Sequence, residues 1–227
     1  MRVVVNAAMS ADGKLATRER EGIPISGPTD FERVDELRAE SDAVMVGVGT
    51  VLADDPSLTV DDPVRTAIRE ADGEPIQPAR VVADSTLRTP PEARVLDDDA
   101  HTYLLASEAA PGERVATMED AGATVVVAGG ERTDLRGALS ALEREGIDQL
   151  MVEGGGELIY SLFEAGLVDE LSVYVGATVI GGRDAPTLVD GAGFTEEFPR
   201  LSLVGVERLD DGVLLQWLVR GEGSGDR

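Results

Sequence analysis

Residues 150–158 read LMVEGGGEL, and this stretch decides how the rest of the sequence is interpreted. The apolar run from Leu150 to Val152 is typical of a buried strand, and a helical pattern of apolar residues begins at Leu158. Three consecutive glycines between them leave backbone N–H groups uncovered at the positive end of a helix, which suits a phosphate or diphosphate. The spacing is neither Gly-x-Gly-x-x-Gly nor the Walker pattern. The residues alone leave open both a tight turn and phosphate binding, although three glycines favour close approach by a ligand.

Glu153 ends the predicted strand, at the position where open α/β sheets bind their ligands. A carboxylate there could hold an amino group or assist proton transfer. The alternative is an acid that only complements the positive end of the following helix.

Strand-like and helix-like runs alternate along the chain, which predicts an α/β layer architecture. The predicted strands of the central sheet are 3–9, 43–48, 80–84, 102–106, 124–128 and 149–152. The predicted helices are 30–40, 134–145 and 157–165. The polar segment 61–78 contains three prolines and is predicted to be a surface excursion.

Particular residues support the helix predictions. Phe31, Val34 and Leu37 share one stripe of the first helix. Thr133 is a candidate N-cap of the second helix, and Gly146 and Gly166 are expected to follow the second and third.

The last third of the chain changes character. Strands are expected at 170–178, 201–208 and 213–220, and the Asp211–Gly212 pair predicts a hairpin between the last two. An antiparallel hairpin after an alternating chain indicates a mixed sheet. Trp217 alternates with Leu215 and Val219, which places it in the core or at a dimer interface rather than in a stacking platform.

The charge of the chain excludes several partners. There are 44 acidic and 20 basic residues, a formal net charge of −24, and Lys14 is the only lysine. Such a surface repels nucleic-acid phosphates and anionic lipid. The acids are scattered, which indicates adaptation to concentrated salt, where the Debye length is about 3 Å at 1 M. An acidic protein of ordinary salt tolerance is the alternative.

The composition also limits the chemistry. There is no cysteine and one histidine, His101, which is expected on the surface. Disulfides, thiol nucleophiles, Cys/His zinc sites and Ser-His-Asp triads are therefore excluded or nearly so, and no metal site is expected. Any difficult chemistry would come from a cofactor. No long apolar run or targeting segment is recognisable, so a cytoplasmic location is expected.

A second strand-to-turn junction lies at 46–59, which reads VGVGTVLADDPSLT. Thr50 could cap the following turn, and Asp54 would lie at the same end of the sheet as Glu153. A Gly-Thr turn alone is weak evidence.

Taken with other blocks, this string resembles the riboflavin-biosynthesis pyrimidine-phosphate reductases, especially the stand-alone archaeal type. The opening block at 6–16, NAAMSADGKLA, is similar to the family's N-x-x-x-S/T-x-D-G-K-x-A. Further similar blocks are 25–27, 37–39, 46–59, 81–85, 152–156, 166–170 and 181–187. The blocks occur in order over nearly the whole chain, which is far more specific than any one motif.

The resemblance implies a three-layer α/β/α dihydrofolate-reductase-like fold with a mixed central sheet and a C-terminal antiparallel hairpin. It implies one reductase domain over 1–220, followed by a flexible tail over 221–227, and a homodimer. The implied activity is hydride transfer from NADPH to C1′ of a phosphoribosylamino-pyrimidine, which yields the ribitylamino form.

Site residues follow by position from the same resemblance. The residues expected to contact NADPH are Ala8, Thr50, Asp54, Ala83, Asp84, Ser85, Thr86, Val127, Gly154, Gly155, Gly156 and Glu157. The residues expected to face the substrate are Asn6, Ser26, Arg38, Leu58 and Glu153, with Arg38 a candidate for its phosphate. The catalytic candidates are Glu153, Asp54 and Asn6.

Asn6 bears on the choice of substrate. The resemblance places a lysine there in the bacterial fused enzymes and an asparagine in the archaeal ones, which favours the still-aminated pyrimidine. Asparagine cannot donate a catalytic proton, so Glu153, Asp54 or water would have to do so. No zinc deaminase motif is present, so deamination is not expected.

Two alternatives remain open at this point. One is another NADPH-dependent reductase of the same fold that acts on a pterin or another small substrate, since fold does not fix function. The other is a non-catalytic nucleotide-binding module. Ser10, Asp12 and Gly13 could equally shape a turn, and Asp84 and Ser85 could simply end a strand.

Overall fold

The computed structural model describes residues 1–220, and all structural statements below concern those residues. Short β-branched runs form the strands, as the pattern predicts. The strands are β1 (Arg2–Ser10), β2 (Ala43–Gly47), β3 (Ala79–Ala83), β4 (Thr102–Ala106), β5 (Thr124–Val127), β6 (Gln149–Gly154), β7 (Glu170–Gly176), β8 (Leu201–Leu209) and β9 (Gly212–Val219). The helices are α1 (Pro28–Ala39), α2 (Val48–Asp54), α3 (Pro63–Ala71), α4 (Gly112–Asp120), α5 (Leu135–Arg144) and α6 (Gly156–Glu164).

The nine strands form one sheet in the order β5-β4-β3-β2-β6-β1-β7-β9-β8. The first seven of that order run parallel, and β9 is antiparallel to both β7 and β8. The predicted mixed sheet with a C-terminal hairpin is therefore confirmed. Its central strand β6 lies between β1 and β2, so the glycine-rich junction at its end falls near the middle of one sheet edge.

Each face of the sheet carries its own apolar core. Alternate residues of a strand point to opposite faces, so Met45 packs with α5 and α6, while Val44 and Val46 pack on the other face with Val51 of α2 and Met118 of α4. The expected three-layer α/β/α arrangement is confirmed.

Helices α2, α3 and α4 were not predicted. Helix α3 lies inside segment 61–78, which was expected to be an irregular excursion. Pro63 occupies the first turn, where proline is tolerated, and the Asp62 carboxylate caps the helix by accepting from the Val64 N–H at 2.8 Å. Arg69 anchors it, because this buried guanidinium donates to the carbonyls of Ser41 and Pro75.

The predicted cap of α5 is wrong. Asp134 occupies the N-cap position, and the Thr133 hydroxyl instead donates to the Leu105 carbonyl at 3.1 Å. The expected helix ends at Gly146 and Gly166 are confirmed, since both glycines follow the last helical turn with left-handed φ of 91° and 62°.

The apolar stripe of α1 does not join the core. Phe31 is 59% exposed, and Val34 and Leu37 are half-buried. Trp217 does pack against the core, as predicted. The tail predicted at 221–227 lies outside the described residues. Among the helices of residues 1–220, none has the length and apolar character needed to cross a bilayer.

The C-terminal hairpin caps the first helix. Gly27 is the N-cap of α1 and has no side chain to accept from the first turn. Asp210, in the two-residue turn between β8 and β9, supplies the acceptor. Its carboxylate accepts from the Thr29 N–H at 3.1 Å, the Asp30 N–H at 3.2 Å and the Thr29 hydroxyl at 2.7 Å. A side chain at Gly27 would collide with this carboxylate.

We predict that Asp210→Gly lowers the free energy of unfolding by about 1 kcal/mol, the usual value of a lost N-cap. Glycine accepts the left-handed φ of 49° at this position, so the variant removes the acceptor without adding strain. Asp210→Asn keeps an acceptor and should stay within a few tenths of a kcal/mol of the parent. Denaturant unfolding measures all three proteins, and equal stability of the Gly and Asn variants would contradict the capping role.

Candidate active site

Two cavities open at the sheet edge formed by the carboxyl ends of the parallel strands. The smaller, of about 380 Å³, is lined from β1, α1 and β6 and includes Asn6, Phe31 and Glu153. The larger, of about 1210 Å³, is lined by Gly49 of α2, Glu157 of α6 and the loops that follow β3 and β5. The three-glycine junction lies between Glu153 of the smaller cavity and Glu157 of the larger one.

The three glycines of the junction meet different requirements. Gly154 has φ of 140°, which other residues rarely adopt, and its peptide bond to Gly155 is cis. A side chain at Gly156 would collide with the Thr187 carbonyl and the Asp190 carboxylate. Gly155 lies against Thr50, whose hydroxyl would be 3.4 Å from an added Cβ. Packing therefore explains Gly156, and backbone conformation explains Gly154.

Neither packing nor backbone conformation explains why residue 49 is a glycine. It lies in the first turn of α2, its φ is not left-handed, and no atom lies within 4 Å of the position that a Cβ would take. Glycine in a helix costs up to about 1 kcal/mol relative to alanine. The space above it belongs to the larger cavity. An elongated ligand therefore explains the absence of a side chain at Gly49 better than the packing of the protein does.

Glu153 and Arg38 form a two-point ion pair beneath the smaller cavity. Arg38 Nε donates to Glu153 Oε1 at 2.5 Å and Nη2 donates to Oε2 at 2.7 Å, while Nη1 donates to the Thr59 carbonyl at 2.8 Å. The side chains are only 17% and 14% exposed. Burial acts to lower the pKa of Arg38, but the hydrogen bonds and charge of Glu153 raise it overall. The pair joins β6 to α1 and fixes the carboxylate.

A second polar chain lines the opposite side of this cavity. Arg33 donates to the Asn6 amide oxygen at 2.8 Å and to Asp30 Oδ1 at 2.8 Å, and Ser26 donates to Asp30 Oδ2 at 2.5 Å. The amide oxygen of Asn6 is thus engaged. Its amide nitrogen has no hydrogen-bond partner among residues 1–220, so Asn6 can offer a donor to a bound molecule.

Carboxylates dominate the rim of the smaller cavity. Asp35 and Asp61 lie on its lining, and Asp35 accepts from the Asp61 N–H at 2.6 Å and from Arg65 at 3.0 Å. With Asp30 and Glu153, this gives four acids around one space. Such a lining favours a ligand that presents N–H donors toward these acids.

Asp54 lies at the end of α2, where its carboxylate faces Gly22 in the loop that follows β1. Partial burial raises the pKa of Asp54 above its ordinary value, because desolvation disfavours the charged form. The protonated form of Asp54 therefore persists to higher pH than that of an ordinary aspartate.

Comparison with known proteins assigns this arrangement to a family. Residues 1–215 match the family described as RibD C-terminal domain. The chain belongs to that family. It is 48% identical over 221 residues to the 2,5-diamino-6-ribosylamino-4(3H)-pyrimidinone 5′-phosphate reductase of Methanothermobacter thermautotrophicus, with 96% of this chain and 98% of that protein covered. It is 47% identical over 210 residues to the protein of the same name from Archaeoglobus fulgidus, with 92% and 94% covered.

Solved structures agree with this assignment. RibD of Acinetobacter baumannii is 25% identical, with a TM-score of 0.78 over 96% of this chain and 58% of that one. A pyrimidine reductase-like protein of Corynebacterium diphtheriae has a TM-score of 0.84 over 97% and 92% at 19% identity, which shows the fold alone. The family and the reductase class predicted from the motifs are confirmed.

The structure brings together most of the predicted site. Asn6, Ser26, Arg38 and Glu153 line the smaller cavity. Ala8, which the resemblance assigned to NADPH, also lines the smaller cavity and not the larger one. Ala83, Ser85, Thr86 and Glu157 line the larger one, and Thr50 lies against Gly155 between them.

Four predicted contact residues lie elsewhere. Asp54 is exposed at the end of α2 and lines neither cavity. Leu58 is buried in the core, with a left-handed φ of 57°. Asp84 is buried, and its Oδ2 accepts from the Thr89 N–H and hydroxyl, so it holds a loop in place. Val127 is half exposed at the end of β5 and lines neither cavity.

The motif at 10–14 has a structural role. The Asp12 carboxylate accepts from the Ser10 hydroxyl and from the N–H groups of Ile180 and Gly181, and these bonds lower the pKa of Asp12 to about 2. Lys14 donates to the Ala185 carbonyl at 3.1 Å. The motif thus ties the loop after β1 to the loop after β7.

Several lining residues were not foreseen. Asp30, Phe31, Arg33, Asp35 and Asp61 surround or support the smaller cavity, and Arg20, Arg88, Arg132 and Thr133 line the larger one. The stripe of Phe31 and Val34 was visible in the sequence, but helical spacing does not distinguish a core face from a cavity wall.

We predict that Gly49→Ala stabilises the protein by about 0.4–1 kcal/mol and at the same time weakens binding of a nicotinamide dinucleotide. Alanine meets nothing within the protein but would fill space above the backbone. Gly112→Ala, in the first turn of α4 and likewise free of contacts, is the matched control that should stabilise without affecting binding. Thermal unfolding and calorimetric titration test both; unchanged binding by Gly49→Ala would contradict a ligand at this position.

Proposed function

We propose that this protein is an NADPH-dependent reductase of riboflavin biosynthesis. It would convert the ribosylamino side chain of 2,5-diamino-6-(5-phosphoribosylamino)pyrimidin-4(3H)-one to the ribitylamino form. The observation that carries the proposal lies at the end of β6. There Glu153 lines the smaller cavity, and the glycine backbone that follows it leads into the larger one. Relatives that match nearly the full chain are named for this substrate. Residues 1–220 would act as one reductase domain.

The larger cavity fits the cofactor. The glycine backbone at Gly49 and Gly155 lets a diphosphate approach the first turn of α6, where N–H groups and the helix dipole favour an anion. Thr50 lies against Gly155, and Glu157 lies within that turn. When bound, the reduced nicotinamide supplies the hydride that C1′ receives.

The smaller cavity fits the aminated pyrimidine. Phe31 and Val34 offer an apolar wall for a ring, and the acids around the rim accept from exocyclic amino groups. Asn6 offers its amide N–H₂ to a ring carbonyl. The two-point pair with Glu153 and the bond to Thr59 engage the Arg38 guanidinium, so we assign Arg38 to positioning Glu153 rather than to the substrate phosphate.

Reduction at C1′ needs an open-chain imine and therefore proton movement at the ring oxygen and the nitrogen. Glu153 is held at a fixed position next to the glycine junction and can exchange a proton there. Asp54, the second candidate from the resemblance, has a raised carboxyl pKa but lines neither cavity, so we assign the proton transfer to Glu153. The remaining residues orient the two ligands and exclude water.

The test is oxidation of NADPH, followed by absorbance, with the diamino-ribosylamino phosphate and separately with dihydrofolate. We expect turnover of the first only, and Glu153→Gln should reduce kcat by about 10²–10⁴ while leaving NADPH binding intact. Glu92→Gln, at an exposed site that lines neither cavity, is the control. Turnover of dihydrofolate would support a pterin reductase, whereas NADPH binding without any turnover would support a nucleotide-binding module.

The acidic surface supports adaptation to concentrated salt in a cytoplasmic enzyme that does not bind nucleic acid or membranes. With a net charge of −24, self-repulsion opposes the compact state unless ions screen it.

The edge strand β8 supports a homodimer. Leu203, Val204 and Val206 are each more than half exposed, and Leu218 of β9 adds to the same hairpin. A long exposed apolar edge is rare in a monomer because it can pair with another chain. A second copy of this chain, offering the same strand, is the occupant we propose.

Sedimentation velocity across a salt series tests both the adaptation to concentrated salt and the homodimer. We expect a folded dimer in molar KCl and unfolding to monomer at low salt. Val206→Asp should give a folded monomer in molar salt, whereas Val127→Asp, a similarly exposed valine at the opposite edge of the sheet, should leave the dimer intact. A salt-independent fold would contradict the first proposal, and a monomeric parent would contradict the second.

A further inference from the structure

A single buried carboxylate links two of the side chains that line the smaller cavity. Asp30, in the first turn of α1, is 1% exposed. Its Oδ2 accepts from the Ser26 hydroxyl at 2.5 Å, and its Oδ1 accepts from Arg33 Nη2 at 2.8 Å and from Nε at 3.0 Å. Arg33 in turn donates to Asn6 Oδ1 at 2.8 Å. Both oxygens of Asp30 are thus engaged, so this acid influences a ligand chiefly through Ser26 and Asn6.

The carboxylate of Asp30 fixes the direction of the Ser26 hydroxyl. A carboxylate only accepts hydrogen bonds, so Ser26 gives its one proton to Asp30. The Ser26 side chain makes no other hydrogen bond within residues 1–220. A free serine hydroxyl both donates and accepts, whereas Ser26 has only its oxygen lone pairs left for a ligand. Ser26 therefore presents an acceptor to the cavity that it lines.

The guanidinium of Arg33 fixes the amide of Asn6 in the opposite sense. A guanidinium only donates, so Asn6 has to turn its amide oxygen toward Arg33, and its N–H₂ group is left for the cavity. Asn6 is 5% exposed, so little water reaches this group. The two side chains thus show a ligand one acceptor, at Ser26, and one donor, at Asn6.

Three elements besides α1 hold this arrangement before any ligand binds. Asn6 lies on β1, and Arg33 Nη1 also donates to the Ser172 hydroxyl of the neighbouring strand β7 at 3.2 Å. The backbone N–H of Asp30 donates to Asp210, in the turn of the C-terminal hairpin, at 3.2 Å. A ligand therefore meets a fixed pattern of donor and acceptor, and little side-chain entropy is lost when it binds.

We propose that Asp30 and Arg33 are positioning residues that make the smaller cavity selective for an aminated pyrimidinone. Ser26 accepts from the exocyclic amino group at C2, and Asn6 donates to the ring carbonyl. An analogue with an oxo group at C2 would set two acceptors against each other at Ser26, and a site built around hydrogen bonds rejects such a mismatch. The inference deepens the proposed function and rests on it, because it presumes that a pyrimidine substrate occupies this cavity.

The test compares kcat/KM for the diamino-ribosylamino phosphate with kcat/KM for its 2-oxo analogue, in the salt in which the protein folds. We expect the parent to prefer the aminated substrate by at least about tenfold. In Asp30→Asn the amide oxygen still accepts from Arg33, and the new N–H₂ donates to Ser26, which can then point its own proton into the cavity. The preference should fall at least about tenfold, partly because kcat/KM for the 2-oxo analogue rises. A purely structural defect would lower both values together.

Three further variants separate positioning from other effects. Asp210→Asn removes the same charge beside the same helix end but leaves the bond between Ser26 and Asp30, so the preference should stay within about twofold of the parent. Ser26→Ala should lower kcat/KM for the aminated substrate about tenfold and change the 2-oxo value less than about twofold. Adding Asp30→Asn to Ser26→Ala should not change the preference further, because Asp30 acts on this group through Ser26.

The thermal transition of each variant checks that it folds, and Ser26→Ala decides the matter if Asp30→Asn does not fold. Equal use of the two substrates by the parent, a preference for the 2-oxo analogue, or equal losses with both substrates in the folded variants would overturn the positioning role and leave the reductase assignment intact. Failure of the folded parent to oxidise NADPH with either substrate would overturn the reductase assignment, and the positioning role with it.

Discussion

Both cavities are shaped by the arrangement of side chains and backbone at the end of the central strand β6. There a carboxylate fixed by an arginine is followed at once by backbone that carries no side chains. Glu153 cannot move independently of Arg38, because both of its oxygens accept from that guanidinium. Gly156 cannot carry a side chain, because the loop at Thr187 and Asp190 packs against it. The junction is therefore rigid on one side of the strand end and open on the other, which separates a polar pocket from an elongated cleft.

The loops around this junction are held by side chains bonded to backbone groups rather than by a large apolar contact. Asp12 holds the loop after β7, Asp210 holds the start of α1, and Asp84 holds the turn after β3. Each is a carboxylate that accepts N–H groups from a distant or turning segment. In a chain with so many acids, some of the excess negative charge thus contributes to the fold, while the rest remains on the surface where salt can screen it.

The strands and the glycine junction could be predicted because their signals are local. A short β-branched run bounded by glycine or aspartate needs no partner to be recognised. The cavity walls could not be predicted, because Arg33, Asp61 and Arg132 acquire their positions from contacts between segments far apart in the chain. Helix α3 was not predicted because it begins at a proline and is anchored by a buried arginine, and both residue types are typical of a protein surface. The family resemblance assigned Asn6, Glu153 and Leu58 to the substrate. Asn6 and Glu153 line one cavity, whereas Leu58 lies in the core.

The central claim is that a dinucleotide lies along the larger cleft, with its diphosphate at the glycine junction and its nicotinamide directed toward Glu153. A crystal structure of the protein with NADPH, grown in the salt in which it folds, tests this claim most directly. The account predicts diphosphate oxygens within hydrogen-bonding distance of the N–H groups that open α6, and the nicotinamide ring at the border of the two cavities. A cofactor bound on another face of the sheet, or with its diphosphate away from that junction, would contradict it.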